Sequence, residues 1–307
     1  GGSGRGLAVV PRAHELVRRT RGEAPADSEV PIGHGDRVAS GALPPTRYAL
    51  RMRLNVHHYG DPDGAPLLAI HGVSAHGARY REFADLATPD RNVLAVDLRG
   101  HGRSGWEPPW DVITHLDDLI ETLDAEGVDG PIDVMGHSFG GLLGLSLVAL
   151  APELVRRAVL IDPAIALPAD YCIDRANETI AFAGWDSPEA AIEARKIGLA
   201  ESGHRFVAGE IAEHVEQGED GRWRARFARP AAVTAWSEMA HAAPIPETPR
   251  PVLILRAARD IYVTPALVDP LREALGDDLE VVDIDAAHMI YWEQPEAAAA
   301  EIRRFLS

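Results

Sequence analysis

The chain has 307 residues, 46% apolar and 25% charged, enough for one large domain with a sizeable core or for such a domain carrying an insertion. Its 47 acidic residues against 30 basic ones give a net charge of −17, a field that repels phosphate backbones and anionic headgroups and argues against nucleic-acid binding. Cys172 is the only cysteine, which excludes an intramolecular disulfide and a thiolate metal cage.

Residues 1–46 are rich in Gly, Pro and Arg, with one short helical candidate over 12–20 and a Gly-Gly-Ser-Gly start that resembles a tag remnant. The expectation is a partly ordered arm and not a domain. No apolar stretch approaches the roughly 18 residues of a membrane span. A cytoplasmic location is the default expectation, with secretion left open because a leader could have preceded Gly1. Residues 47–52 and 54–59 read as two antiparallel strands, and Asp61-Pro62-Asp63-Gly64 is a strong turn signal after the second.

Short apolar runs then recur at 67–70, 93–96, 132–135, 158–161, 252–255 and 279–284, separated by loops and helical stretches. Continuous apolar runs alternating with helices indicate a mostly parallel central sheet covered by helices on both faces, an α/β fold. In such sheets ligands bind beyond the carboxyl ends of the strands. The rhythm breaks over 163–249, which holds helical stretches at 188–199 and 230–241, with Trp185, Trp223 and Trp236, and no clear buried strand. That length is too great for a plain crossover and reads as a helical cap. The expected organisation is therefore an arm (1–46), a core (47–162 and 250–307) and a cap (163–249).

Gly136-His137-Ser138-Phe139-Gly140-Gly141 lies between the run at 132–135 and the apolar run at 142–150. Strand, abrupt turn, helix, with serine at the turn, is the setting of a nucleophile elbow. The glycines are needed because neighbouring Cβ atoms would collide in so tight a reversal. A serine hydroxyl needs a base, and the base needs an acid that sets its tautomer. His288, after the last strand, is the candidate base. Asp260, after the run at 252–255, is the preferred acid, with Asp162 after the run at 158–161 as the alternative. His71-Gly72-Val73 follows the run at 67–70, so the backbone N–H groups of Val73 and Phe139 are the candidate oxyanion donors. His57, His58, His71 and His76 lack a carboxylate or thiolate at matched spacing, and no metal is expected at them. The cap tryptophans read as core, and Cys172 as an inert residue near the cap entrance.

His71-Gly72, the segment Asp97-Leu98-Arg99-Gly100-His101-Gly102-Arg103-Ser104, the elbow, and Asp260 with His288 together resemble the α/β-hydrolase superfamily over residues 46–307. The resemblance implies a serine esterase or lipase-like enzyme acting on small-molecule esters without a cofactor. A carbon–carbon hydrolase, a lactonase, a perhydrolase or acyltransferase, and a non-catalytic receptor are the alternatives. Oligomeric state is not legible.

Overall fold

A computed structural model describes residues 51–307; the arm and the helical candidate over 12–20 lie outside the described residues. All six apolar runs form strands. They are β2 (Ala65–Ile70), β3 (Arg91–Asp97), β4 (Ile132–His137), β5 (Val155–Ile161), β8 (Val252–Ala257) and β9 (Leu279–Ile284), joined by β1 (Asn55–Gly60) into one seven-stranded sheet. The order is β1-β3-β2-β4-β5-β8-β9, parallel throughout except that β1 runs antiparallel to β3.

The central stretches of β2, β3, β4, β5 and β8 are apolar because both faces are covered there. Leu68, Ile70, Val134, Leu160 and Ile254 pack on one face, under α2 (Val112–Ala125), α3 (Phe139–Leu150) and α8 (Pro265–Leu275). Their neighbours in sequence, Leu67, Ala69, Met135, Val159 and Leu253, pack on the other, under α1 (Arg81–Ala87) and α9 (Pro295–Leu306). The period of two along each strand divides the core into two layers.

The antiparallel partner expected for β1 over 47–52 lies mostly outside the described residues, and β1 pairs antiparallel with β3. Of residues 47–52 only Arg51 and Met52 are described, and neither is in a strand. The Met52 and Leu54 N–H groups donate instead to Asp118 Oδ1 and Thr122 Oγ1 on α2, each at 2.9 Å. Helix side chains have taken the donors that a ladder would need.

Between β5 and β8 the chain forms α4 (Ala169–Ala181), α5 (Pro188–Lys196), α6 (His204–His214) and α7 (Arg229–Met239). It also forms a two-stranded ribbon, β6 (Val215–Gln217) with β7 (Trp223–Ala225), which the sequence pattern missed because three-residue strands of mixed polarity carry no legible period. α4 packs against α7, and Tyr171 meets Trp236 edge to face at 6.2 Å. Among the described residues no helix is long and apolar enough to cross a membrane.

Candidate active site

Ser138 occupies the turn between β4 and α3 with φ 56° and ψ −118°, a strained conformation for a residue with a side chain. A methyl group on Gly136 would lie 2.1 Å from the Gly140 carbonyl oxygen, and one on Gly140 would lie 2.1 Å from that of Ile70. The reversal therefore closes only with glycine at both positions. Phe139 opens α3, so its N–H is one of the first-turn donors that lack an intrahelical carbonyl.

Gly72 and Val73 follow β2 directly opposite the elbow, where a methyl on Gly72 would lie 2.9 Å from Ser138 Cβ. Two buried histidines hold this loop. His71 Nδ1 donates to the Gly72 carbonyl at 2.7 Å, and its Nε2 accepts from the Leu98 N–H at 2.9 Å. His101 Nδ1 donates to the Arg99 carbonyl at 3.1 Å, and its Nε2 accepts from the Ser74 N–H at 3.2 Å. Each ring thus has one donating and one accepting nitrogen, which requires the neutral form. Burial favours that form as well, pressing His71 well down and His101 to about 4.

The segment 97–104 clamps the same loops. Asp97 accepts from the Gly77 N–H at 2.7 Å, the Arg103 N–H at 2.9 Å and Asn55 Nδ2 at 2.9 Å. Those donors, with His57 at 3.1 Å, outweigh its burial and hold its carboxyl far below the usual range. Arg99 grips Asp118 through two bonds of 2.6 and 2.8 Å. His57 and His76 are occupied by Asp97 and Glu210, while the described structure gives His58 a Glu126 contact at the surface.

His288 lies after β9, and the carboxylate that meets its ring is that of Asp162, where Asp260 is the preferred expectation. Its Nδ1 donates to Asp162 Oδ2 at 2.6 Å. Asp260 does not meet the ring; its Oδ2 accepts the main-chain N–H of His288 at 3.1 Å and its Oδ1 that of Ile261 at 2.7 Å. The reason lies in the strand ends. Asp162 is the first residue beyond β5, pinned by its N–H to the Leu255 carbonyl and by the Ala257 N–H to its Oδ1. Asp260 stands three residues past β8 in a loop that turns its carboxylate onto the backbone. Atoms of Asp162, Asp260 and His288 lie within 4.8 Å of one another, as in a metal cluster. All four carboxylate oxygens, however, already accept from protein donors.

Ser138 and His288 line the same cavity, of about 380 Å³, together with Gly72, Val73 and Asp260. Tyr262 lies against the His288 ring with centroids 4.2 Å apart, and its hydroxyl meets that of Tyr171 at 2.7 Å. His137 is buried beneath the elbow, and its Nε2 donates to the His288 carbonyl at 3.0 Å. A second cavity, of about 400 Å³, extends into the inserted segment and shares Val73, Arg195, Trp236 and Tyr262 with the first. Trp185 and Trp236, read as core from the sequence, form cavity wall. Cys172 is buried, its thiol pushed up by burial, and lines neither cavity.

One residue that sequence reasoning did not find is Glu293. Its buried carboxylate accepts from the Ala287 N–H beside His288, from the Ala200 N–H of the inserted segment, both at 3.0 Å, and from Arg259 at 2.6 Å. The available signal was an acid closing the apolar run Met289-Ile290-Tyr291-Trp292.

Residues 67–301 match the model of the alpha/beta hydrolase family, and the chain belongs to that family. Lipase LipV of Mycobacterium tuberculosis is 36% identical over 253 residues, which span 81% of this chain and 96% of that protein. Esterase YbfF of Escherichia coli is 28% identical over 262 residues, 83% of this chain and all of that protein. Among solved structures, an E-2-(acetamidomethylene)succinate hydrolase superposes with a TM-score of 0.71 at 21% identity, covering 83% of this chain and 95% of that one.

Proposed function

We propose that the protein is a serine hydrolase of carboxylic esters, working through an acyl-enzyme on Ser138. The observation that carries this reading is the convergence of a strained serine, a histidine whose Nδ1 is held by a buried carboxylate, and the Gly72-Val73 loop around one cavity. The esterase and lipase named among its relatives point the same way. Asp162 fixes His288 as the Nδ1–H tautomer, leaving Nε2 with its lone pair. That nitrogen takes the Ser138 proton as Oγ attacks the acyl carbon. The Val73 and Phe139 N–H groups hold the oxyanion; such a donor is worth about 100- to 1000-fold in rate. His288 returns the proton to the departing alcohol, and water, activated by the same ring, releases the acid.

The inserted segment acts as a cap in this reading, and the second cavity beneath it receives a largely apolar part of a medium-sized substrate. Ser138→Ala tests the proposal. It should abolish turnover of short 4-nitrophenyl esters and labelling by a fluorophosphonate while leaving the melting temperature within about 2 °C, the shift of a change worth less than about 1 kcal/mol in a domain of this size. Undiminished turnover in that variant would refute it.

A further inference from the structure

The second cavity has a charge pattern that ester hydrolysis alone does not require. In a chain of net charge −17, four arginines, Arg175, Arg195, Arg224 and Arg229, line it against a single carboxylate, Glu178. Arg175 is paired with Glu178 and Arg224 with Asp220. Arg229 reaches the Ile180 carbonyl at 3.4 Å.

Arg195 differs from the other three. Among the described residues it has no ion pair and no hydrogen bond, and its buried Nε has no partner. It is also the one of the four that lines the Ser138 cavity as well. Glu210, whose field reaches it, is already gripped by Arg79 and His76. Burial, with the like charge of Arg79, pushes the Arg195 pKa down, as expected of a guanidinium whose charge is uncompensated. The residue is half-buried and its guanidinium faces both cavities, but its Nε is shut away from water with no acceptor, so the group marks a place where a ligand can supply the partner.

We infer that Arg195 recognises a carboxylate on the substrate, held at the junction of the two cavities while an apolar or aromatic portion lies against Trp236 and Tyr262. The guanidinium fork matches a carboxylate in a bidentate pair. The inference rests on the reading of Ser138 as the nucleophile and narrows its substrates to esters bearing an acidic group.

Two matched pairs of esters test it. Mono-4-nitrophenyl glutarate against 4-nitrophenyl pentanoate places the carboxylate on the acyl side; 4-acetoxybenzoate against its methyl ester places it on the alcohol side. The wild type should prefer the anionic member in at least one pair. In Arg195→Gln the anionic-to-neutral ratio of kcat/KM should fall by about tenfold or more, the size expected when a charge-assisted bond is lost. Arg195→Lys, which keeps the charge, should restore part of that ratio. A ratio within about twofold of wild type in Arg195→Gln, or no anionic preference in either pair, overturns the inference. A second readout does not depend on turnover: 4-phenylbutyrate should raise the wild-type melting temperature more than 4-phenylbutyramide does, and Arg195→Gln should erase that difference. Equal shifts from acid and amide in the wild type count against the anion site. Failure of fluorophosphonate to label Ser138 counts against the nucleophile instead, so the two failures are distinguishable.

Discussion

At the scale of single residues, two aspartates compete for one imidazole, and burial and reach separate them. Asp162 is fully buried, and burial raises its pKa despite the opposing hydrogen bond from His288. The pair is thus a desolvated one in which the acid is held by both His288 Nδ1 and the Ala257 N–H. In the proposed mechanism Asp162→Asn removes the charge that would steady the imidazolium and permits the wrong tautomer. The expected loss is about 10⁴-fold in kcat, by analogy with the same change in serine proteases. Asp260→Asn keeps an amide oxygen that can still accept the His288 N–H, and should cost no more than about tenfold, one lost charge-assisted bond. Steady-state kinetics on one ester compares them, and a larger loss in Asp260→Asn would return the role of acid to Asp260.

Among the elements, what aligns the site is a set of loops braced against each other at the strand ends. Glu293 ties the His288 loop, the Arg259 loop and residue 200 of the inserted segment to one carboxylate. Glu293→Ala leaves the half-buried N–H groups of Ala200 and Ala287 without that acceptor, a cost of up to about 1 kcal/mol for each, below the penalty of a fully buried donor. Because one of these donors adjoins His288, kcat should fall together with the melting temperature. Glu293→Gln, which keeps the shape and one acceptor oxygen, should recover part of both. Thermal melts beside kinetics for the two variants make the comparison, and a stability loss with kcat intact would place Glu293 outside the alignment of the base.

For the whole molecule, five buried histidines, His71, His101, His115, His137 and His214, are held below their ordinary pKa, chiefly by burial. His101 is pressed to about 4 and His115 to about 3. The unfolded chain takes up protons as pH falls through about 6.5, whereas the folded protein resists until those lower values. Over that window the unfolded state binds more protons, so stability declines with falling pH. Each such site contributes about 1.4 kcal/mol per pH unit, so His101 and His115 alone remove about 5 kcal/mol between about pH 6 and 4. A typical domain has only about 5–15 kcal/mol in total. Asp97, held far below the usual range, adds to the loss at still lower pH, while the raised Asp118 and Asp162 oppose it. The melting temperature should drop steeply from pH 7 to 4.5, and His115→Phe, which keeps a ring against Phe139, should flatten the slope. A melting temperature constant over that range would contradict the assignment of these rings as neutral.

What could be read from the chain alone was whatever is written in local pattern. Six apolar runs became six sheet strands, because strand centres buried on both faces must be apolar; the edge strand β9, with Glu280 and Asp283, is less so. The elbow was legible because only glycine fits at positions 136 and 140, and steric exclusion of that kind leaves its mark on composition. The choice between Asp162 and Asp260 was not legible. Both are aspartates just beyond adjacent strands, and one hydrogen bond from the Leu255 ladder and one from Ala257 decide which carboxylate faces the ring. The lone charge of Arg195 and the bracing by Glu293 were hidden for the same reason. A partner, or the lack of one, is a relation between residues distant in sequence, and only packing in three dimensions creates it.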